Sequence, residues 1–263
     1  MRILRPPLAS LVLAILLGAT SSSQATAPAY SAAGVVNSAT YSADGLAPNA
    51  IASIFGTGLS YTTTAVASDN IINNMLPTEL ASVRVYVNYQ GAPLYYVSPT
   101  QINFLIPSSI LSGEMDLFVA RQGTAGPHVK ITVHDAGPGL FQWEPGMIAS
   151  THADGSIITS DHPAKAGEVV VLYGTGLGRT DPEVISGQIS MVPAEIQQLS
   201  ELQVMVAGAV LDSTSVQYAG VTPGSPGLYQ VNLRLPAQLP PDPEIRIAIG
   251  DRMSPASTKL PVH

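Results

Sequence analysis

Ala52–Thr62 reads ASIFGTGLSYT, and Val170–Thr180 reads VVLYGTGLGRT, 170 − 52 = 118 residues later. Three more pairs follow in the same order. LPTEL (76–80) is answered by VPAEI (192–196), VRVYV (83–87) by LQVMV (202–206), and QINFLIP (101–107) by QVNLRLP (230–236). Ordered self-similarity of this kind marks a duplicated structural unit. The last pair is 230 − 101 = 129 residues apart, so the second copy carries about ten extra residues. They fall between Leu211 and Tyr229, where YAGVTPGSPGLY supplies the Gly and Pro of a longer loop. Copy one spans 34–144 and copy two 145–263, with a short segment at 26–33 ahead of them. Each copy is close to the roughly 100 residues of an immunoglobulin-like sandwich.

Within each copy the apolar period is two. Val83, Val85 and Val87 alternate with Arg84, Tyr86 and Asn88, and Ile102, Phe104 and Ile106 alternate with Gln101, Asn103 and Leu105. Ile245, Ile247 and Ile249 repeat the pattern, as does VKITV at 129–133. Successive strand side chains point to opposite faces, so such runs bury one face and wet the other. Turn residues separate the runs, and Asp154-Gly155 between MIASTHA and SIIT is the strongest two-residue hairpin signal. Helical spacing is confined to one expected turn at 193–199, with Pro at its start. The chain is therefore all-β: two tandem immunoglobulin-like β-sandwich domains after a signal peptide.

The leader occupies 1–25. Arg2 and Arg5 precede an apolar run of about a dozen residues, Leu8 to Ala19, which is short of the roughly 20 that a membrane helix needs. Ser23-Gln24-Ala25 then offers a small-x-small cleavage site, the pattern of secretory export. The expected location is secreted, extracellular or at the cell surface, with the periplasm as a further option. No second apolar span follows. The chain has no Cys, so neither a disulfide nor a thiolate metal site can form. Its net charge is −7, and losing Arg2 and Arg5 with the leader takes it to −9. Such a chain has no cationic excess with which to displace counterions from nucleic acid.

VVNSATYS (35–42), IFGTGLS, LYYVSPTQINFLIP (94–107), KAGEVVVLYGTGLG (165–178) and GLYQVNLRLP (227–236) together resemble the Solibacter uncharacterised C-terminal domain family. The resemblance spans nearly the whole mature chain. It implies exported proteins of soil acidobacteria and carries no known activity, so it transfers no site residues. GEVVVLYGTGLG alone is also similar to the opening strand of immunoglobulin-like plexin and transcription-factor domains.

The two Gly-Thr-Gly stretches lack the following helix that a phosphate-binding loop requires, and read as strand ends where Gly allows close packing. No G-x-S-x-G elbow marks a nucleophile. His128 and His134 lie six residues apart on one strand, about 20 Å, too far to share a metal, and read as solvated rim residues. His152 and His162 flank the Asp154-Gly155 turn and can approach each other. No acidic spacing matches a calcium loop. We assign no catalytic residue, no metal ligand and no cofactor.

Tyrosine is the suggestive residue, with Tyr86, Tyr89, Tyr95 and Tyr96 clustered in copy one. Features shared by both copies are most simply demands of the fold. Features of one copy, such as this cluster, Trp143 and the 219–228 loop, are better candidates for a specific task. The sequence points to a non-catalytic binding or adhesion module for an extracellular glycan or a cell-surface protein. Its expected ligand-binding residues are Tyr86, Tyr89, Arg84 and Asn88, with alternation allowing one of Tyr95 and Tyr96 to join them. Two alternatives stand: a hydrolase with its site in the inter-domain groove near 143–162, and a structural spacer.

Overall fold

The computed structural model describes residues 26–263. The expected signal peptide, with its expected cleavage near Ala25, lies outside the described residues. The strands of four residues or more are β1 Ala29–Asn37, β2 Ile51–Thr57, β3 Val83–Val87, β4 Leu94–Val97, β5 Gln101–Leu105, β6 Gly113–Arg121 and β7 Val129–Val133. In copy two they are β8 Val169–Thr175, β9 Leu202–Val206, β10 Val216–Val221, β11 Tyr229–Arg234 and β12 Ile245–Ile249.

In copy one the order β1-β2-β5-β4 forms one sheet and β7-β6-β3 the other, all antiparallel. Lettered in chain order, this is ABED against GFC, the constant-type immunoglobulin arrangement. Copy two repeats it. β8-β11-β10 is flanked by the short strands Gly139–Leu140 and Ser150–His152 on β8, and β9-β12 is extended by Arg252–Met253. Residues 26–33 are not a separate segment: Ala29 and Tyr30 already pair with Thr57 and Gly56. The expected helical turn at 193–199 is instead the strand Ala194–Ile196, with a 3-10 turn at Leu199–Glu201. Ala194 and Ile196 are buried on either side of an exposed Glu195, so period two wins there as well.

Alternation sets the interior. Val83, Val85 and Val87 are buried while Arg84 is exposed. One core draws on residues from Val35 to Val133, the other on residues from Ala136 to Val262. At roughly 25 cal/mol per Å² of apolar surface removed from water, these cores are the main stabilising term in a chain without disulfides. Every pairing among β1–β12 stays within one copy. Gly139–Leu140, inside the 34–144 span read for copy one, nevertheless pairs with β8, and Ala136 and Leu140 pack in the second core, so the second sandwich starts before 145. The isolated bridge Met75–Gln188 crosses between the copies, flanked by Leu76 N–H to Gly187 O at 2.9 Å and Ile189 N–H to Asn74 O at 2.7 Å.

Two further contacts fix the junction. Asn37, fully buried, donates to Gly45 O and Gly137 O and accepts from the Ala39 and Thr40 amides. Thr175, also fully buried, accepts from the Ile51 amide and donates to Gly227 O, both at 2.8 Å. The copy-two insertion therefore does a structural job. β10 runs through its first residues, and the remaining turn at 222–228 seats Pro226 and Gly227 against copy one, where Pro226 O accepts from the Tyr95 hydroxyl.

Candidate binding groove

Of the residues singled out from sequence, Tyr86 and Tyr89 come together around Phe118, though not as an open platform. Tyr86 faces away from the core on β3, and Tyr89 stands in the following turn, 66% exposed. Pairing of β3 with β6 sets Tyr86 opposite Phe118, and His128 flanks Phe118 from the β7 side. Ring centroids are 4.6 Å apart for Tyr86–Phe118 and 4.4 Å for Phe118–His128, with planes within 15° and 20° of parallel. Tyr89 tilts against both Phe118 and His128. Both faces of Phe118 are thus covered by other rings. His128 belongs to this stack and is no free rim residue, while His134 Nε2 pairs with Asp44 Oδ1 at 2.9 Å.

Arg84 Nε donates to Glu79 Oε2 at 2.7 Å. Asn88 and Tyr89 hold the turn at φ +47° and +64°. Tyr95 and Tyr96 cannot extend the row because β4 belongs to the opposite sheet. A bulge between Leu94 and Tyr96 breaks the alternation, leaving both rings half-buried and turning Tyr95 toward copy two. Phe118 was absent from the residues expected at the site and His128 was read as a rim residue, although Phe118 sits in an alternating stretch, Met115 to Val119, that marks a strand.

A larger concave surface lies where the sandwiches meet. Its floor is the outward face of β2 and β5, in which Ser53 pairs with Asn103 and Phe55 with Gln101. Asn103 Oδ1 accepts from Gln101 Nε2 at 2.8 Å and from Ser53 Oγ at 3.0 Å, and Ser53 Oγ lies 2.8 Å from Ser38 Oγ. The arrangement leaves Asn103 Nδ2 and Gln101 Oε1 free to meet a ligand as donor and acceptor. Copy two keeps the amide pair, with Gln230 Nε2 donating to Asn232 Oδ1 at 3.0 Å, but has Val171 where copy one has Ser53.

Three adjoining basins of about 700, 570 and 420 Å³ open around Phe141. The first holds the amide floor between Tyr41, Tyr95 and the 224–228 turn. The second lies against Trp143, Tyr173, Thr151 and Thr222, and the third between Trp143 and Tyr41. Trp143 is 54% exposed and Tyr41 68%. Glu144 is the one carboxylate lining any of them, and no Lys, Arg or His lines them. Burial pushes the Tyr95 phenol up, so it stays a neutral hydrogen-bonding hydroxyl.

A hydrolytic site near 143–162 would need a base poised on a nucleophile. His152 instead gives Nδ1 to Glu168 Oε1 at 2.5 Å and turns Nε2 toward His162 O at 3.4 Å. Donating from both nitrogens requires the protonated ring, and the Glu168 hydrogen bond raises the His152 pKa accordingly. This is a clasp on the 152–168 loop. Among the described residues, no group of three or more His, Asp or Glu is placed to hold a metal, and no helix is long and apolar enough to cross a membrane.

No protein-family model and no curated protein sequence matches the chain. Among solved structures it is similar to SGBP-B from the mixed-linkage glucan utilization locus of Bacteroides ovatus, in complex with a mixed-linkage heptasaccharide. The identity is 10%, the TM-score 0.33, and the match covers 82% of this chain and 41% of that one. The surface glycan-binding protein PbSGBP-B of Prevotella bryantii matches at 14% identity and TM-score 0.26, over 81% of this chain and 37% of that one. Domains 5–6 of the S-layer protein SbsC match at 11% and 0.27, over 89% and 98%. The chain thus spans about two fifths of the first two proteins. Likeness of this degree says nothing of a ligand.

Proposed function

We propose that the chain is an extracellular, non-catalytic binding module that takes a neutral polysaccharide into the groove between its two sandwiches. The observation that supports this reading is the lining itself. Aromatic rings, side-chain amides and hydroxyls converge there, and Glu144 is the one ionised group. Sugar rings offer apolar C–H faces to aromatics and hydroxyls to amides, so such a surface satisfies both without desolvating a charge. A net charge of −7 disfavours polyanions further. An extended peptide is a poorer fit, because strand addition needs an open edge. The floor strands β2 and β5 are each paired on both sides. The leader and the resemblance to the Solibacter family support export.

Affinity gel electrophoresis tests the reading, with β-glucan, xylan and galactomannan as neutral polymers and polygalacturonate as the charged one. At least one neutral polymer should retard the protein, Gln101→Ala/Asn103→Ala should abolish most of the retardation, and polygalacturonate should have no effect. Unretarded migration in every neutral polymer would overturn it.

A further inference from the structure

The geometry points to a ligand longer than one sugar: an oligosaccharide that runs through all three basins and bends around Phe141. This rests on the polysaccharide reading above and adds the form of the ligand to it. Each basin alone has the size of an ordinary ligand pocket, about 300–1,000 Å³. They are also contiguous. Ser225 and Leu228 line both the amide basin and the tryptophan basin, and Trp143 lines both the second and the third.

The two kinds of recognition group are divided between them. The free amide groups of Gln101 and Asn103 lie in the first basin, whereas Trp143 lies in the other two. A single sugar can use one set, and a chain can use both. Relative placement of the basins is fixed, because Thr175 ties the floor strand to Gly227 on one side and the 74–76 and 187–189 segments pair on another. The separation between subsites is therefore built in before binding, which favours a chain of matching length.

Calorimetric titration with gluco-, xylo- and manno-oligosaccharides of one to six units decides the matter, using the wild-type chain, Trp143→Ala and Asn103→Ala. Trp143 is exposed on a short hairpin, so its removal leaves the fold intact. In the responding series, affinity should rise at least tenfold from the monosaccharide to the longest chain. Loss of the one indole face should weaken the hexasaccharide by about 2- to 13-fold, the equivalent of one aromatic contact. Asn103→Ala should weaken it as well, whereas a disaccharide should respond to only one of the two substitutions. Equal affinity for the monosaccharide and the hexasaccharide would overturn the extended-chain inference while leaving glycan binding in place. No binding at any length would overturn the glycan reading itself.

Discussion

Gly227 is where the second sandwich meets the first, and Gly227→Ala should separate interface strain from backbone strain. The residue sits at φ +72°, and a Cβ there would lie 2.3 Å from Leu105 Cδ2, 2.8 Å from Asn49 O and 3.0 Å from Ile51 Cγ1. Left-handed backbone costs a non-glycine residue about 1–2 kcal/mol. Forcing a methyl into a packed contact adds about 1–3 kcal/mol, because the carbonyl of Asn49 cannot yield as a side chain can. Gly155 is the control, with φ +88° and nothing within 4 Å of its Cβ position. Gly155→Ala should therefore lose about 1–2 kcal/mol, and Gly227→Ala about 2–5 kcal/mol. Urea unfolding followed by Trp143, the sole tryptophan, reads the junction directly. Equal destabilisation of the two variants would refute the claim that the 222–228 turn wedges the sandwiches together.

Thr175→Val keeps the shape but leaves the Ile51 amide unpaired, and should lower stability by about 1–3 kcal/mol in the same assay. The Glu168 hydrogen bond raises the His152 pKa, so its stabilisation is complete below the ordinary histidine value of about 6.5 and fades as pH rises through the higher folded value. Melting temperature against pH should lose that alkaline decline in Glu168→Gln, an effect of at most about 1 kcal/mol; superimposable profiles would contradict it. Phe118→Ala removes the centre of the outer stack; because the ring is half-buried, it should destabilise copy one by less than the roughly 3–5 kcal/mol of a fully buried ring, while leaving polysaccharide retardation unchanged. Lost retardation in folded protein would move the site to that face.

The fold was legible because strand alternation and the repeat are local properties of the chain. Val83, Val85 and Val87 bury as their spacing requires, and Gln101 and Gln230 recur on equivalent strands with the same amide partner. The stack around Phe118 was only half legible. Tyr86 and Tyr89 are neighbours in sequence, but Phe118 and His128 join them through strand pairing. Tyr95 escaped because a bulge reverses its direction, which alternation cannot foresee. The groove is assembled from segments as distant as Tyr41, Asn103, Phe141 and Ser225. Its one advance signal was asymmetry between the copies: Trp143 occurs once and is not repeated, the 219–228 loop has no counterpart in copy one, and both border the groove.

Trp143, which borders two of the basins, reports on whether a neutral glycan occupies the groove. A chain with one tryptophan gives one indole N–H resonance. Two-dimensional 1H–15N spectra recorded during titration with the oligosaccharide series should show that resonance shifting progressively and saturating for at least one neutral hexasaccharide. Polygalacturonate fragments of equal length should leave it in place. An indole resonance unmoved by every neutral oligosaccharide, or moved equally by the charged fragments, would contradict binding of a neutral glycan in the groove.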